Sequence, residues 1–126
     1  MINWLEKHRI VSIVLTILIT IEIFYFSTLS GGAGTGGNLW FARAYHFIVF
    51  FLFSFFLLMA IKGKNKLKTK YILITLIISI AHAILDEVHQ IFVPFRNAST
   101  GDVLIDSLGI FSAMIIAKIT NRKSNQ

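Results

Sequence analysis

Four apolar runs, each near membrane-spanning length, leave this chain little choice of fold. A bilayer core is crossed by about 20 mainly apolar residues in a helix. A helix serves because it satisfies its own backbone hydrogen bonds where no water is present to do so. The runs fall at residues 10–29, 44–61, 71–93 and 103–119. The last is the shortest and least pure, with Asp106, Ser107 and Gly109 inside it. Only 14% of the 126 residues are charged, where a soluble domain carries about 25%. The expected architecture is therefore all-α: an integral membrane four-helix bundle forming one domain over residues 1–126. No internal repeat interrupts it. The glycine-rich stretch 30–37 is expected to be a flexible loop.

The placement of cations sets the expected orientation. Lys7 and Arg9 precede the first run, and Lys62, Lys64, Lys66, Lys68 and Lys70 fill the interval between the second and third. Lys118, Arg122 and Lys123 close the fourth, whereas the opposite side keeps only Arg43 and Arg96. The positive-inside rule then puts both termini in the cytoplasm, with segments 30–37 and 94–101 outside. The lysine-rich interval is read as a topology anchor in preference to a lipid-recognition site. The first run is longer than the 7–15 residues usual in a signal peptide and contains Glu22, so it is read as a retained helix. The formal charge of +6 does not indicate nucleic acid, because the cations flank apolar runs and form no basic face. The absence of cysteine excludes disulfides, thiolate metal sites and cysteine nucleophiles.

Ionisable residues inside such runs are costly, about 2.5–3.5 kcal/mol each on insertion scales, and normally face the bundle interior. This chain has Glu22, His46, His82, Asp86, Glu87, His89 and Asp106 there. At about 1.5 Å of rise per residue, Glu22 lies about 20 Å above Arg9 and Asp86 about 24 Å above Lys70. Asp106 lies about 6 Å below Asp102 by the same measure. The polar groups thus converge on the outer half. His82, Asp86 and His89 share one helical stripe, whereas Glu87 points about 100° away from Asp86. Asp102, Asp106, Gly109 and Ala113 form a stripe of small and acidic residues, which is expected to pack against the His82–Asp86–His89 stripe.

Two readings of this convergence stay open. Arg43 and Arg96 could neutralise the acids in a structural lock, or the groups could form a pocket that binds or transforms something. His46, His82 and His89 offer metal-ligand types, but no tight spacing such as His-x3-His appears. No metal and no other cofactor is expected on that ground. Ser79, Ser99 and Ser112 lack a nucleophile-elbow context.

The segment 85–96 resembles the signature of the VanZ-like family of membrane proteins. Asp86, Glu87, Gln90, Phe92, Pro94 and Arg96 match its Asp-Glu-x-x-Gln-x-Phe-x-Pro-x-Arg pattern, and Asp102 follows where that family has an aspartate. Upstream, Arg43, His46 and Phe47 resemble its Asp-Lys-x-x-His-Phe motif, with Ala42 in place of the acid. Asp106 stands where the family usually has asparagine, Gly109 matches its glycine, and Phe95 replaces a small residue. Ser27 and Ser30 stand near the end of the first run, where the family often carries serine. The resemblance covers roughly residues 20–115. It implies an outer-face site and an association with resistance to the glycopeptide teicoplanin at the cell envelope, but no particular reaction.

The expected function is that of a multi-pass cell-membrane protein binding an anionic or lipid-linked ligand in an outward-facing pocket. Arg43, Gln90, Arg96, Asp102, Asp106 and Glu22 would be its ligand-binding residues. The alternative is a small intramembrane enzyme acting on a lipid or lipid-linked substrate, with Asp86, Glu87 and His46 in catalytic roles. Expected partners are membrane lipids and that ligand, with self-association open and nucleic acid excluded. An ion-coupled transporter is disfavoured, because the nearly uncharged inner half breaks any relay.

Overall fold

A computed structural model describes residues 2–29, 39–96 and 99–123 of the chain. They form five helices: α1 (Ile2–Lys7), α2 (Arg9–Thr28), α3 (Leu39–Lys62), α4 (Thr69–Ile91) and α5 (Thr100–Lys123). No strand occurs among the described residues. Helices α2 to α5 are all long and apolar enough to cross a membrane, which makes the protein a multi-pass membrane protein. The glycine-rich stretch 30–37, expected to be a loop, lies outside the described residues.

Several boundaries differ from the sequence expectation, for local reasons. Helix α3 begins at Leu39 rather than at residue 44. Arg43 therefore lies within its first turns, with the guanidinium 5.8 Å from the centre of the Trp40 ring. Helix α5 begins at Thr100, where the Ser99 hydroxyl accepts the Gly101 N–H at 3.2 Å. This is the hydroxyl cap favoured at a helix start. The short α1 was not legible as a span. It docks Leu5, 4% exposed, against Phe55, Leu58 and Met59 of α3 and Ala117 of α5.

The lysine-rich end of the bundle is tied by specific polar contacts. Arg9 Nε donates to the Ala60 carbonyl at 2.7 Å, joining the start of α2 to the end of α3. Gly63 adopts φ 53° and donates its N–H to the Met59 carbonyl, the left-handed stop that glycine makes cheaply. Lys62 is buried and turns back to the Asn65 carbonyl at 3.1 Å. It therefore serves α3 as well as the charge pattern, while Lys64, Lys66, Lys68 and Lys70 are exposed.

Helix α3 is central, packing against α2, α4 and α5. Phe50, Leu58 and Met59 along it are almost wholly enclosed. Buried Ser54 donates to Ser79 of α4 at 2.9 Å, an interhelical hydrogen bond of the kind that holds membrane helices together. Ile17, Leu18, Ile77, Leu104 and Ile115 point outward, as expected where the surrounding solvent is lipid.

The expected contact between the two stripes is not the one formed. A Cβ on Gly109 would collide with the Phe47 carbonyl oxygen and lie 3.1 Å from the Phe51 nitrogen. The small-residue stripe of α5 thus receives the backbone of α3, not α4. His82 meets the Phe50 and Phe53 rings of α3 at centroid distances of 5.8 and 4.8 Å, and His89 meets Phe24 of α2 at 4.8 Å. The aromatic side chains of α3 and α2 fill the space beside the histidines, while glycine leaves room for backbone only on α5.

Candidate functional site

The polar groups gather at the end of the bundle opposite the lysine-rich turn, and each helix contributes through its own register. On α3, His46 is buried and presents Nδ1 to Asp106 Oδ1 of α5 at 3.0 Å. This is the one ion-pairing contact among the described residues at this end. It sits one helical turn from the close approach of Gly109 to Phe47, so the missing side chain at 109 lets the two polar side chains meet. Asp106 is fully enclosed, and its second oxygen has no hydrogen-bond partner.

On α4, adjacent residues serve different surfaces, as their angular separation requires. Asp86 faces inward and accepts a hydrogen bond from Gln90 Nε2 at 2.9 Å, one turn along the same helix. Glu87 turns toward α5, where Oε2 accepts the Ser99 backbone N–H at 2.8 Å. That bond anchors the connection between α4 and α5 onto α4. The other Glu87 oxygen is buried without a partner.

A cavity of about 370 Å³ opens between α2, α3 and α4. Its polar wall contains Glu22, Tyr45, His46, Asp86, Gln90 and Arg96. Its apolar wall is built from Phe26, Phe41, Val49 and Phe50, with Ile23. The volume falls at the lower end of the range usual for small-molecule sites, which pair apolar walls with a few placed polar groups. Glu22 is exposed overall and stands at the rim.

Five expected site residues thus line one cavity: Glu22, His46, Asp86, Gln90 and Arg96. Asp106 stands behind His46, outside the lining. Glu87 and Asp102 are displaced to the α5 side, where their carboxylates and His46 offer ligand atoms within 4.8 Å of one another. Arg43 does not line the cavity. It lies one turn before Phe47, near the start of α3, with its guanidinium over the Trp40 ring. Tyr45, Ser27 and the phenyl wall escape a search for charged groups. Tyr45 and Ser27 do fall within the motif stretches, which mark them although their residue types do not.

The salt-bridge lock is not built among the described residues. Arg43 and Arg96 form no ion pair with Asp86, Glu87, Asp102 or Asp106, and each has a buried Nε lacking a hydrogen-bond partner. Fold and site together define a helical membrane protein with a polar-ended cavity between its spans. The model of the VanZ/LLP1 family matches residues 2–121, and the chain belongs to that family. Comparison with curated proteins and with solved structures yields no match.

Proposed function

We propose that this protein binds an amphiphilic ligand of the cell envelope, with an anionic head and an apolar or lipid-linked tail. The cavity carries this reading: Arg96 lines it together with Phe26, Phe41 and Phe50, between membrane-spanning helices. A guanidinium free of carboxylate partners can hold a phosphate or carboxylate through a planar pair of N–H donors. Phe26, Phe41 and Phe50 would cover an acyl or isoprenoid segment without any polar group to desolvate. Gln90, Asp86 and Tyr45 would orient the head by hydrogen bonds.

The orientation that goes with this reading places both termini and the lysine turn in the cytoplasm and the cavity at the outer face of the cell membrane. A protein holding an envelope lipid or precursor there would change what a glycopeptide antibiotic reaches, which is compatible with the teicoplanin resistance associated with the VanZ-like family. Native mass spectrometry of the detergent-purified chain tests the binding. A retained lipid or lipid-linked species that is released on substituting Arg96 supports it. A chain free of bound lipid, and unable to take up anionic lipid, overturns it.

An enzymatic reading is favoured by one contact. A carboxylate on His46 Nδ1 orients the imidazole and leaves Nε2 able to accept a proton from a substrate in the cavity. Asp86 lines the same wall. A change in the lipid profile of expressing cells, abolished by Asp86→Asn, would distinguish catalysis from binding.

A further inference from the structure

Beside the cavity, on its α5 side, the bundle brings together a donor set that no part of the ligand reading uses. His46 of α3, Glu87 of α4 and Asp102 of α5 each offer one ligand atom, and the three atoms lie within 4.8 Å of one another. Zinc forms bonds of about 2.0–2.2 Å to imidazole nitrogen and carboxylate oxygen in a tetrahedral shell, so the ligand atoms of one ion lie about 3.3–3.6 Å apart. On binding an ion the three side chains would have to draw together by up to about 1.5 Å.

We propose that His46, Glu87 and Asp102 bind one divalent transition-metal ion of the zinc or manganese type, with Asp106 as the positioning residue behind His46.

Three further observations support it, each independent of the spacing. The Asp106 carboxylate meets His46 Nδ1 at 3.0 Å. This is the outer-shell arrangement that fixes an imidazole tautomer and leaves Nε2 as the ligating nitrogen. Glu87 is only 6% exposed. One of its oxygens is fixed by the Ser99 N–H, and the other is buried with no partner, a costly arrangement unless a cation or donor arrives. Finally, five of the six acids in the chain lie in or beside this end of the bundle, and neither arginine there pairs with one. A divalent ion supplies the missing positive charge.

The donor chemistry narrows the ion. One imidazole and two carboxylates, without thiolate, suit zinc or manganese better than copper(I), and the nitrogen disfavours calcium and magnesium. Three protein ligands leave at least one coordination position open, the pattern of a site that also takes water or a ligand oxygen. His46 lines the main cavity as well, which sets the ion at the edge of that space. The ligands come from three helices, so no His-x3-His spacing marks the site in the sequence.

The test uses the metal alone, on the full chain purified in detergent without a histidine tag and stripped by chelator. Titration calorimetry with Zn²⁺ and Mn²⁺ should show one ion per chain. His46→Gln and Asp102→Asn should each weaken binding at least about tenfold, and Asp106→Asn by a smaller factor. X-ray absorption at the zinc edge should report a single imidazole among oxygen ligands. Thermal unfolding of the wild-type chain should move upward with excess ion, a readout that requires no variant to fold. No binding to the wild-type chain, unchanged affinity in Asp102→Asn, or a zinc shell without imidazole overturns the proposal. Because no lipid is present, failure here leaves the amphiphile reading standing, and loss of lipid binding leaves this one standing.

Discussion

Gly109 lies so close to the Phe47 carbonyl that α5 can carry no side chain at that point without moving away from α3. The obstructing atoms are backbone and cannot rotate aside. Gly109→Ala should therefore destabilise the bundle by about 1–3 kcal/mol, the range seen on overpacking a well-filled interior. Gly109→Leu should cost more. Because Asp106 stands one turn away on the same helix, both changes should also pull it from His46. Thermal unfolding in detergent reads the first effect. An unchanged midpoint in Gly109→Ala would show that α5 does not pack as closely as this.

The His46–Asp106 contact separates geometry from charge. Asp106→Asn keeps an oxygen that can accept from His46 Nδ1 and removes the carboxylate, as at the corresponding position usual in VanZ-like sequences. Its stability should stay within about 1 kcal/mol of wild type, the scale of a typical net hydrogen bond. Asp106→Leu leaves a buried ring nitrogen unpaired and should cost about 1–3 kcal/mol. Equal stability of the two variants would mean that the contact contributes nothing to folding.

The spans and the end of the bundle that holds the polar groups were legible because both follow from one-dimensional quantities, apolar run length and rise per residue. The divergence of Asp86 and Glu87 was legible for the same reason, since it follows from the turn of a single helix. Which helix meets which was not legible. Rotation about each axis depends on side-chain volume at the contact, and Gly109 admits the α3 backbone while the rings of Phe50 and Phe53 occupy the space beside His82. Arg43 was assigned to the pocket by depth and motif. It lies in the first turns of α3, which starts five residues before the apolar run, and it does not line the cavity, because depth and motif do not fix rotation about the helix axis. The cluster of His46, Glu87 and Asp102 is a product of three helices and has no spacing to find.

Phe95 occupies the left-handed region, with φ 61°, and is 90% exposed. A bulky residue held there costs about 1–3 kcal/mol, and glycine relieves most of that strain. Phe95→Gly should raise the unfolding midpoint while leaving ligand and metal binding unchanged, since the side chain lines no part of the cavity. A lower midpoint would show that the ring does more for stability, as an anchor at the membrane surface, than its backbone conformation takes away.

The orientation can be read without a structure, because the chain has no native cysteine. Single cysteines at Gly34 and Asn65 should label from opposite sides of the membrane, with Gly34 accessible to an impermeant reagent in intact cells. Asn65 labelling from outside while Gly34 stays protected would invert the bundle and turn the cavity toward the cytoplasm.

Arg96 is the residue whose chemistry decides whether the cavity binds an anion. It lines the space without pairing to a carboxylate, so its charge is not committed to holding helices together. Arg96→Lys preserves that charge but replaces a planar fork of donors by a compact ammonium on a flexible stem. If the guanidinium grips a phosphate or carboxylate through two N–H donors, the substitution should weaken anionic-lipid retention about tenfold or more, with the unfolding midpoint nearly unchanged. Asp86→Asn should act differently. It keeps an oxygen for the Gln90 hydrogen bond but lowers the negative potential facing the ligand, so an anionic head should be retained at least as well as by wild type. The two variants together test the sign of the charge being recognised. Loss of retention in Asp86→Asn alongside full retention in Arg96→Lys would mean that the cavity holds a cationic or neutral head, and the proposed ligand class would be wrong.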